Sequence, residues 1–347
     1  MKWALLVLLV LLVVCLVSFV LMFCLTKATR YGHCSTVACV AFSPDGQSVV
    51  SGGDDCQVIL WDAKGKYLRK LADGGRMITG VAYSPAGDLI AATTYEYTLI
   101  LADPQGKNPR RFQKHTGTIN AVAFSPDGKT IATASFDKTI LLWDTDGQVV
   151  RTIQGGTGDE GVAFNCVAFS PDGQTLAAGA DDGELFLWGL DGTLKKKSKG
   201  HDKAVLAIAV SKNGDFMVTG ALDASLVVWK QDGEISARFG QEGAAVRSLA
   251  LSPDGNTIAT TGGDGGVRFW NPSGEALKKG GAFAPDSQLF APARTVAFAP
   301  DGKSLAVCSG EVITLYDLDG RELCKLEGVQ KTVFEWPFRK WGQGLKI

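Results

Sequence analysis

Val40-Ala41-Phe42-Ser43-Pro44-Asp45-Gly46 opens a pattern that returns six more times down the chain. Numbered on its proline position, it falls at Pro44, Pro85, Pro126, Pro171, Lys212, Pro253 and Pro300, in steps of 41, 41, 45, 41, 41 and 47 residues. Each copy reads as an apolar strand running into a tight reversal, because Pro suits position i+1 of a type I turn and Gly suits i+3. A second strand follows (residues 130–135 in the third copy), then a short turn containing Asp, a third strand (139–143), an Asp-Gly turn and a weaker fourth strand (148–152). Four short antiparallel strands at a period of about 40 residues make one propeller blade. The seven copies cover residues 33 to 328.

The composition agrees. With 46% apolar residues among 347, the chain is not a disordered one. Its 42 glycines fit a chain that turns often, and the net charge of −1 supplies no global field for nucleic acid.

The third strand ends in Trp61, Trp143, Trp188, Trp229 and Trp270, with Tyr316 in copy seven and Leu101 in copy two. Asp62 and Asp144 complete a Trp-Asp pair in copies one and three. This resembles the WD-repeat (Trp-Asp repeat) β-propeller family over about 85% of the chain. The resemblance implies an all-β, seven-bladed ring. It also implies a buried His–Ser/Thr–Asp–Trp network within a blade. All three histidines fall into its slots: His33, Ser51, Asp55 and Trp61; His115, Thr133, Asp137 and Trp143; His201, Thr219, Asp223 and Trp229. Each His lies 11 residues before its turn anchor and each Asp six before its Trp. Such a network satisfies the indole N–H and the carboxylate together, so it reads as structural rather than catalytic. Copies four and six keep Asp182/Trp188 and Asp264/Trp270 without the His; in copy two Tyr95 and Leu101 fall in the Asp and Trp slots, and copy seven has Gly310 for Asp. Ring closure has two open solutions: residues 27–33 lend a strand to the last blade, or copy seven uses its own fourth strand at 322–326.

The first residues differ from everything after them. Residues 3–25 hold no charge, Gly or Pro. Twenty-three residues at a rise of ~1.5 Å give about 35 Å of helix, enough for a hydrocarbon core of ~30 Å. The run is longer than a signal-peptide core and no small-residue cleavage pattern follows it, so an uncleaved transmembrane helix is expected. Lys2 stands before it and Lys27 and Arg30 after it, which places the propeller on the cytoplasmic side. The expected organisation is therefore a transmembrane helix (1–26), a linker or closing strand (27–36), the propeller (37–328) and an aromatic, basic tail (329–347).

No catalytic constellation or metal motif stands out. The eight cysteines form no C-x-x-C pair, and Gly128-Lys129-Thr130 and Gly302-Lys303-Ser304 lack the earlier glycine of a phosphate loop. No cofactor, metal, nucleic acid or small-molecule substrate is expected, and no enzyme. Surfaces carry the function instead. On the face holding the second-to-third turns, the position six before each anchor reads Ala38, Thr79, Asn120, Asn165, Leu206, Arg247 and Arg294; the one before each Asp slot reads Asp54, Thr94, Phe136, Asp181, Leu222, Gly263 and Ser309. Tyr95, Asn120, Phe136, Asn165, Arg247 and Arg294 are the candidate partner contacts, since Arg and aromatics dominate binding hot spots. The insertions at 155–160 and 282–290 (with Phe283 and Phe290) and the Lys195–Lys199 run are weaker candidates. The tail holds Phe334, Trp336, Phe338 and Trp341 among Lys331, Arg339, Lys340 and Lys346. By composition it is expected to pack over the ring's edge, ahead of partner docking and of lipid contact. The expected function is a membrane-anchored protein-interaction scaffold or complex subunit, with other proteins as partners and the bilayer held by residues 3–25. The alternative is a propeller enzyme or small-ligand sensor using the central channel.

Overall fold

A computed structural model describes residues 27–155, 161–240, 244–277, 293–326 and 329–333. These form two compact units, one of residues 33–327 and one drawn from both chain ends. Among the described residues there are strands and turns only, and no helix is long and apolar enough to cross a membrane. The expected span at 3–25 lies outside the described residues, as do 156–160, Phe283, Phe290 and the tail beyond Val333.

The larger unit is a seven-bladed propeller. Its first blade is the meander Val37–Phe42, Ser48–Gly53, Gln57–Asp62 and Tyr67–Asp73, hydrogen-bonded in that order. Five of the other six repeat this layout. The sixth has three strands among the described residues and a single bridge, Trp270 to Ala276, where a fourth would start. The first strands (Val37–Phe42, Ile78–Tyr83, Ile119–Phe124, Phe164–Phe169, Val205–Val210, Val246–Leu251 and Ala293–Phe298) contact one another in cyclic order, and the last meets the first. The amide of Val37 donates to the Gly310 carbonyl at 2.7 Å across that closure.

Burial explains which segments pair where. Second and third strands are almost wholly buried, so they are unbroken apolar runs; the fourth strands Leu194–Lys199 and Ile235–Gly240 are largely exposed and read as polar. The core is not one mass. Seven apolar clusters each join side chains of two adjacent blades, one per interface.

The Ser-Pro-Asp-Gly turns hold the ring on its lower face. In the first, the Gly46 amide donates to the Ser43 carbonyl at 2.9 Å, and Ser43 Oγ bonds Asp45 at 2.6 Å while accepting the Ser48 amide. Gly46 has φ +69°, the left-handed region a side chain resists. Each such glycine also receives the proline of the preceding blade. Pro44 lies 3.5 Å from where a Cβ on Gly87 would stand, Pro85 likewise from Gly128, and Pro300 3.6 Å from Gly46, closing the circle. Only Gly255 meets Phe216 instead, because the preceding anchor is Lys212.

Two expectations are settled here. The last blade uses its own fourth strand, Glu322–Leu326, and residues 27–31 pair instead with Val329–Val333 as a two-stranded ribbon. In copy two the slots shift by one. Ile90 pairs with Ala102 as Val49 pairs with Trp61, and Tyr97 takes the left-handed turn position held by Cys56, Lys138 and Ala224. Glu96 and Ala102 therefore occupy the Asp and Trp slots, and Tyr95, not Thr94, stands before the Asp slot.

The six described cysteines are free. Burial pushes the thiols of Cys39 and Cys166 up to about 12 and that of Cys308 well above its usual value. Since the thiolate is the nucleophile, iodoacetamide at pH ~8 should label exposed Cys34 in the folded protein. It should reach Cys39, Cys166 and Cys308 only after denaturant is added. Labelling of these three at the Cys34 rate, read by peptide mass spectrometry, would contradict their burial.

Candidate functional site

The histidine-centred groups sit inside blades one, three and five. In the third blade Trp143 Nε1 donates to Thr133 Oγ1 at 2.8 Å, Thr133 Oγ1 lies 2.7 Å from His115 Nε2, and His115 Nδ1 lies 2.8 Å from Asp137 Oδ2. One donor order satisfies every group: indole N–H to hydroxyl, hydroxyl O–H to bare Nε2, Nδ1–H to carboxylate. Both imidazole nitrogens are then used. Asp137 also accepts the amides of Thr116 and Thr139, so it ties the blade's incoming link to its second turn. The first blade repeats this with His33, Ser51, Asp55 and Trp61. In the fifth, Ser225 Oγ sits 2.6 Å from both His201 Nδ1 and Asp223, while Thr219 joins His201 to Trp229. In the sixth blade the Trp270 indole donates to Thr260 Oγ1 at 3.1 Å, and the position 11 before Pro253 lies outside the described residues. In the fourth, Ala178 stands at the hydroxyl position and Trp188 instead stacks on Phe186, with ring centroids 5.2 Å apart. The Asp of the Trp-Asp pair acts elsewhere. Asp62 and Asp144 accept two amides each and close the third-to-fourth turn.

These groups set an acid limit. Burial lowers the His201 pKa from the usual 6.5, outweighing the nearby Asp223. Burial pushes Asp223 upward, but the Ser225 hydroxyl and the Asp202 amide outweigh it and hold the carboxyl at about 2. Asp55 and Asp137 are depressed likewise: burial is the largest single influence and raises each carboxyl, but the histidine together with the backbone amides (and, at Asp137, the Thr139 hydroxyl) lowers it by more. In every case the unfolded chain binds protons first, so stability falls as pH falls. The melting temperature should decline modestly as pH drops through ~6.5 and steeply below ~4, where the unfolded carboxyls protonate. Asp223→Asn should flatten part of the steep limb. A melting temperature that rises on acidification would refute this.

The candidate contact positions on the upper face have a common origin. In all seven blades the first strand carries a register shift at the residue six before the anchor, for example between Ile119 and Ala121 and between Phe164 and Cys166. A bulge leaves one residue unpaired and re-aims its side chain. Three of these side chains turn to the next blade. Thr79 Oγ1 donates to the Ile119 carbonyl at 2.5 Å, Asn120 Nδ2 to the Phe164 carbonyl at 2.9 Å, and Asn165 Nδ2 to the Val205 carbonyl at 3.1 Å. Asn165 also bonds Asp181. Asn120 and Asn165 are thus half-buried blade ties. Arg294 pairs with Asp54 of the neighbouring blade at 3.3 Å. Arg247 is exposed, and no ion pair is made by it among the described residues.

Tyr95 and Phe136 are different. They are 52% and 61% exposed, and Met77 beside them is 38% exposed. Hydrogen bonds link the segments that carry them: the Tyr95 amide donates to the Met77 carbonyl, the Thr118 side-chain Oγ1 to the Tyr95 carbonyl, and the Phe136 amide to the Thr118 carbonyl. Arg76 and Glu96 pair at 2.7 Å at the edge of this arc. Met77 escapes the sequence reading, although a signal exists: the same position reads Thr36, Thr118, Ala163, Ala204 and Ala245 in other copies. Among the described residues no cluster of His, Cys, Asp and Glu could hold a metal ion. A groove of ≈ 400 Å³ between the third and fourth blades is lined by Ile153, Phe186, Trp188 and Leu194, with Lys197 over the Phe186 ring. It brings no acid–base pair together.

Comparison with known proteins agrees with this geometry. The WD domain, G-beta repeat profile matches residues 24–62, 106–144, 147–189, 192–230 and 233–271. The profile leaves out the second and seventh blades, which lack the Trp. Small ribosomal subunit proteins RACK1z of Arabidopsis thaliana and RACK1 of Brassica napus are each 49% identical over 49 residues, 14% of this chain. The chain spans about 15% of the length of these curated relatives. The β-propeller domain of Cps50 (Swd1) from Myceliophteria thermophila is similar in fold, with a TM-score of 0.73 at 19% identity, covering 85% of this chain and 100% of that domain. With repeats matched over more than half its length and seven blades closed into a ring, the chain belongs to the WD domain, G-beta repeat family.

Proposed function

We propose that this chain is a protein-interaction scaffold held at a membrane by residues 3–25, and a subunit of a membrane-associated complex. The carrying observation is the exposed arc Met77–Tyr95–Phe136 on two adjacent blades. Contiguous apolar surface on a rigid support marks an interaction site, and aromatic residues supply most binding energy at such sites. The ring contributes rigidity, because each blade is fastened to the next by an apolar cluster, at six of the seven interfaces by a proline–glycine contact and, in four places, by a bulge side chain. Arg247 and Leu222, also exposed on the upper face, extend the contact surface. Protein assemblies are also what the small ribosomal subunit relatives are named for, which supports a subunit role here. The membrane reading rests on the length and apolarity of residues 3–25, and Lys27 and Arg30 after them favour the propeller on the cytoplasmic side.

A photo-crosslinking amino acid placed at position 136 of the full chain tests the face. Adducts with discrete proteins are expected from position 136 and none from position 172, in a lower-face turn. Equal adducts from both, or adducts from 172 alone, would overturn the assignment.

A further inference from the structure

The first strands stand around the ring's axis, so the residue at each upper-face bulge borders the mouth of the central channel. Two of these seven residues are charged, both are arginines, and they fall on neighbouring blades: Arg247 and Arg294. They stand side by side, because the residues that follow them touch. Ser248 Oγ lies 3.3 Å from Thr295 Oγ1 and accepts the Val296 amide at 3.3 Å.

The two arginines are not equivalent. Arg294 reaches forward to the next blade and meets Asp54 at 3.3 Å. The same step from Arg247 leads to Ser309, which carries no charge. The other route open to a bulge residue is the second-to-third turn of its own blade, where Asn165 meets Asp181 at 2.7 Å. Arg247 covers the corresponding turn, its Nε 3.8 Å from where a Cβ on Gly263 would stand, and that residue is no acid either. Both positions that supply an acid in other blades are thus neutral around Arg247. Its guanidinium makes no hydrogen bond or ion pair among the described residues. On the other side of Arg247 the mouth is apolar: the neighbouring bulge residue is the half-buried Leu206, on the blade that also leaves Leu222 43% exposed.

Charge selects the anion. Arg294 and Asp54 cancel, which leaves one unmatched cation. A single carboxylate neutralises it, through the two parallel N–H bonds of the guanidinium fork. A phosphate, with a charge of about −2, would leave an excess beside Asp54. We propose that Arg247 takes the side-chain carboxylate of an Asp or Glu in a protein partner, in a segment whose neighbouring residue is apolar and lies toward Leu206 and Leu222. This rests on the reading of the upper face as the interaction surface. Arg247 is half-way round the ring from the Met77–Tyr95–Phe136 arc, so a partner that touches both lies across the mouth of the channel.

The test uses Arg247→Lys in the full chain, with partners captured from mild detergent and then treated with a water-soluble carbodiimide. That reagent joins an amine to a carboxylate in contact with it and does not couple a guanidinium. An amide between position 247 and an Asp or Glu of another protein is expected by peptide mass spectrometry, and none from the native chain or from Arg247→Gln. Arg247→Gln should also weaken capture about fivefold, what an exposed ion pair supplies, at an unchanged melting temperature, and Arg247→Lys should recover most of the loss. Three results overturn the carboxylate contact and leave the scaffold reading intact: an adduct to a phosphorylated residue, an adduct to a carboxylate of this chain, or no adduct at 247 in complexes that the photo-crosslinker at position 136 still captures. Partners captured at neither position overturn the scaffold reading, and the contact with it.

Discussion

Trp143→Ala should lower the free energy of unfolding by about 3–5 kcal/mol, the range for removing a large aromatic from a core. Trp143 is fully buried at the interface of the second and third blades, among Leu99, Leu101, Ile131 and Leu141. Its loss opens a cavity and also strips Thr133 of its indole donor. The two contributions separate by comparison. Thr133→Val keeps the volume but leaves the Trp143 N–H and His115 Nε2 buried without partners, at about 1–3 kcal/mol. Trp188→Ala opens a similar cavity in a blade where Ala178 supplies no hydroxyl, so it should show the packing loss alone. Denaturant midpoints at constant slope give all three values. A cost below about 1 kcal/mol for Trp143→Ala would mean the blade does not depend on this group.

Gly183→Ala should be the most damaging glycine substitution of those at left-handed turns. Gly183 has φ +81°, and a Cβ there would stand 2.3 Å from the His201 carbonyl oxygen and 2.9 Å from that of Lys203. Both obstacles are backbone, so no rotamer change relieves them. The same carbonyls belong to the link that brings His201 to its network. Gly75→Ala is the control, with φ +72° and nothing within 4 Å of its Cβ position. It should carry only the left-handed cost of about 1–2 kcal/mol. Gly183→Ala should exceed that clearly and lower the yield of folded protein. Equal effects at the two sites would show that the turn opens freely.

Much of the propeller is legible in the sequence because its determinants are local. A Pro-Asp-Gly turn announces each first strand's end, and the His, hydroxyl, Asp and Trp positions repeat at fixed spacing. The second blade shows where this stops. Leu101 is the apolar residue nearest the Trp slot, but the left-handed turn residue Tyr97 sets the register, and that places Ala102 there. Lys138 and Ala224 occupy the equivalent left-handed position without any glycine to mark it. The bulges are also silent. Thr79, Asn120 and Asn165 read as surface residues, and only pairing reveals that each bonds a carbonyl on the next blade. The ribbon of residues 27–31 and 329–333 depends on two short segments three hundred residues apart, neither of which carries a pairing signal of its own.

Among the six contact candidates, the geometry divides the labour. Asn120 and Asn165 hold blades together, Arg294 is committed to Asp54, and Tyr95 and Phe136 stand exposed with Met77. Binding energy is therefore expected from the aromatic pair, with Arg247 contributing at the margin. The most direct measurement is quantitative affinity capture of the full chain from mild detergent, comparing the native sequence with Tyr95→Ser/Phe136→Ser. Both residues are exposed, so stability should change by no more than about 0.5 kcal/mol, which circular dichroism melting checks on the same sample. The account predicts loss of the stoichiometric partners with the fold intact. Partners retained at the native level by a folded double variant would contradict the assignment of the upper face as the binding surface.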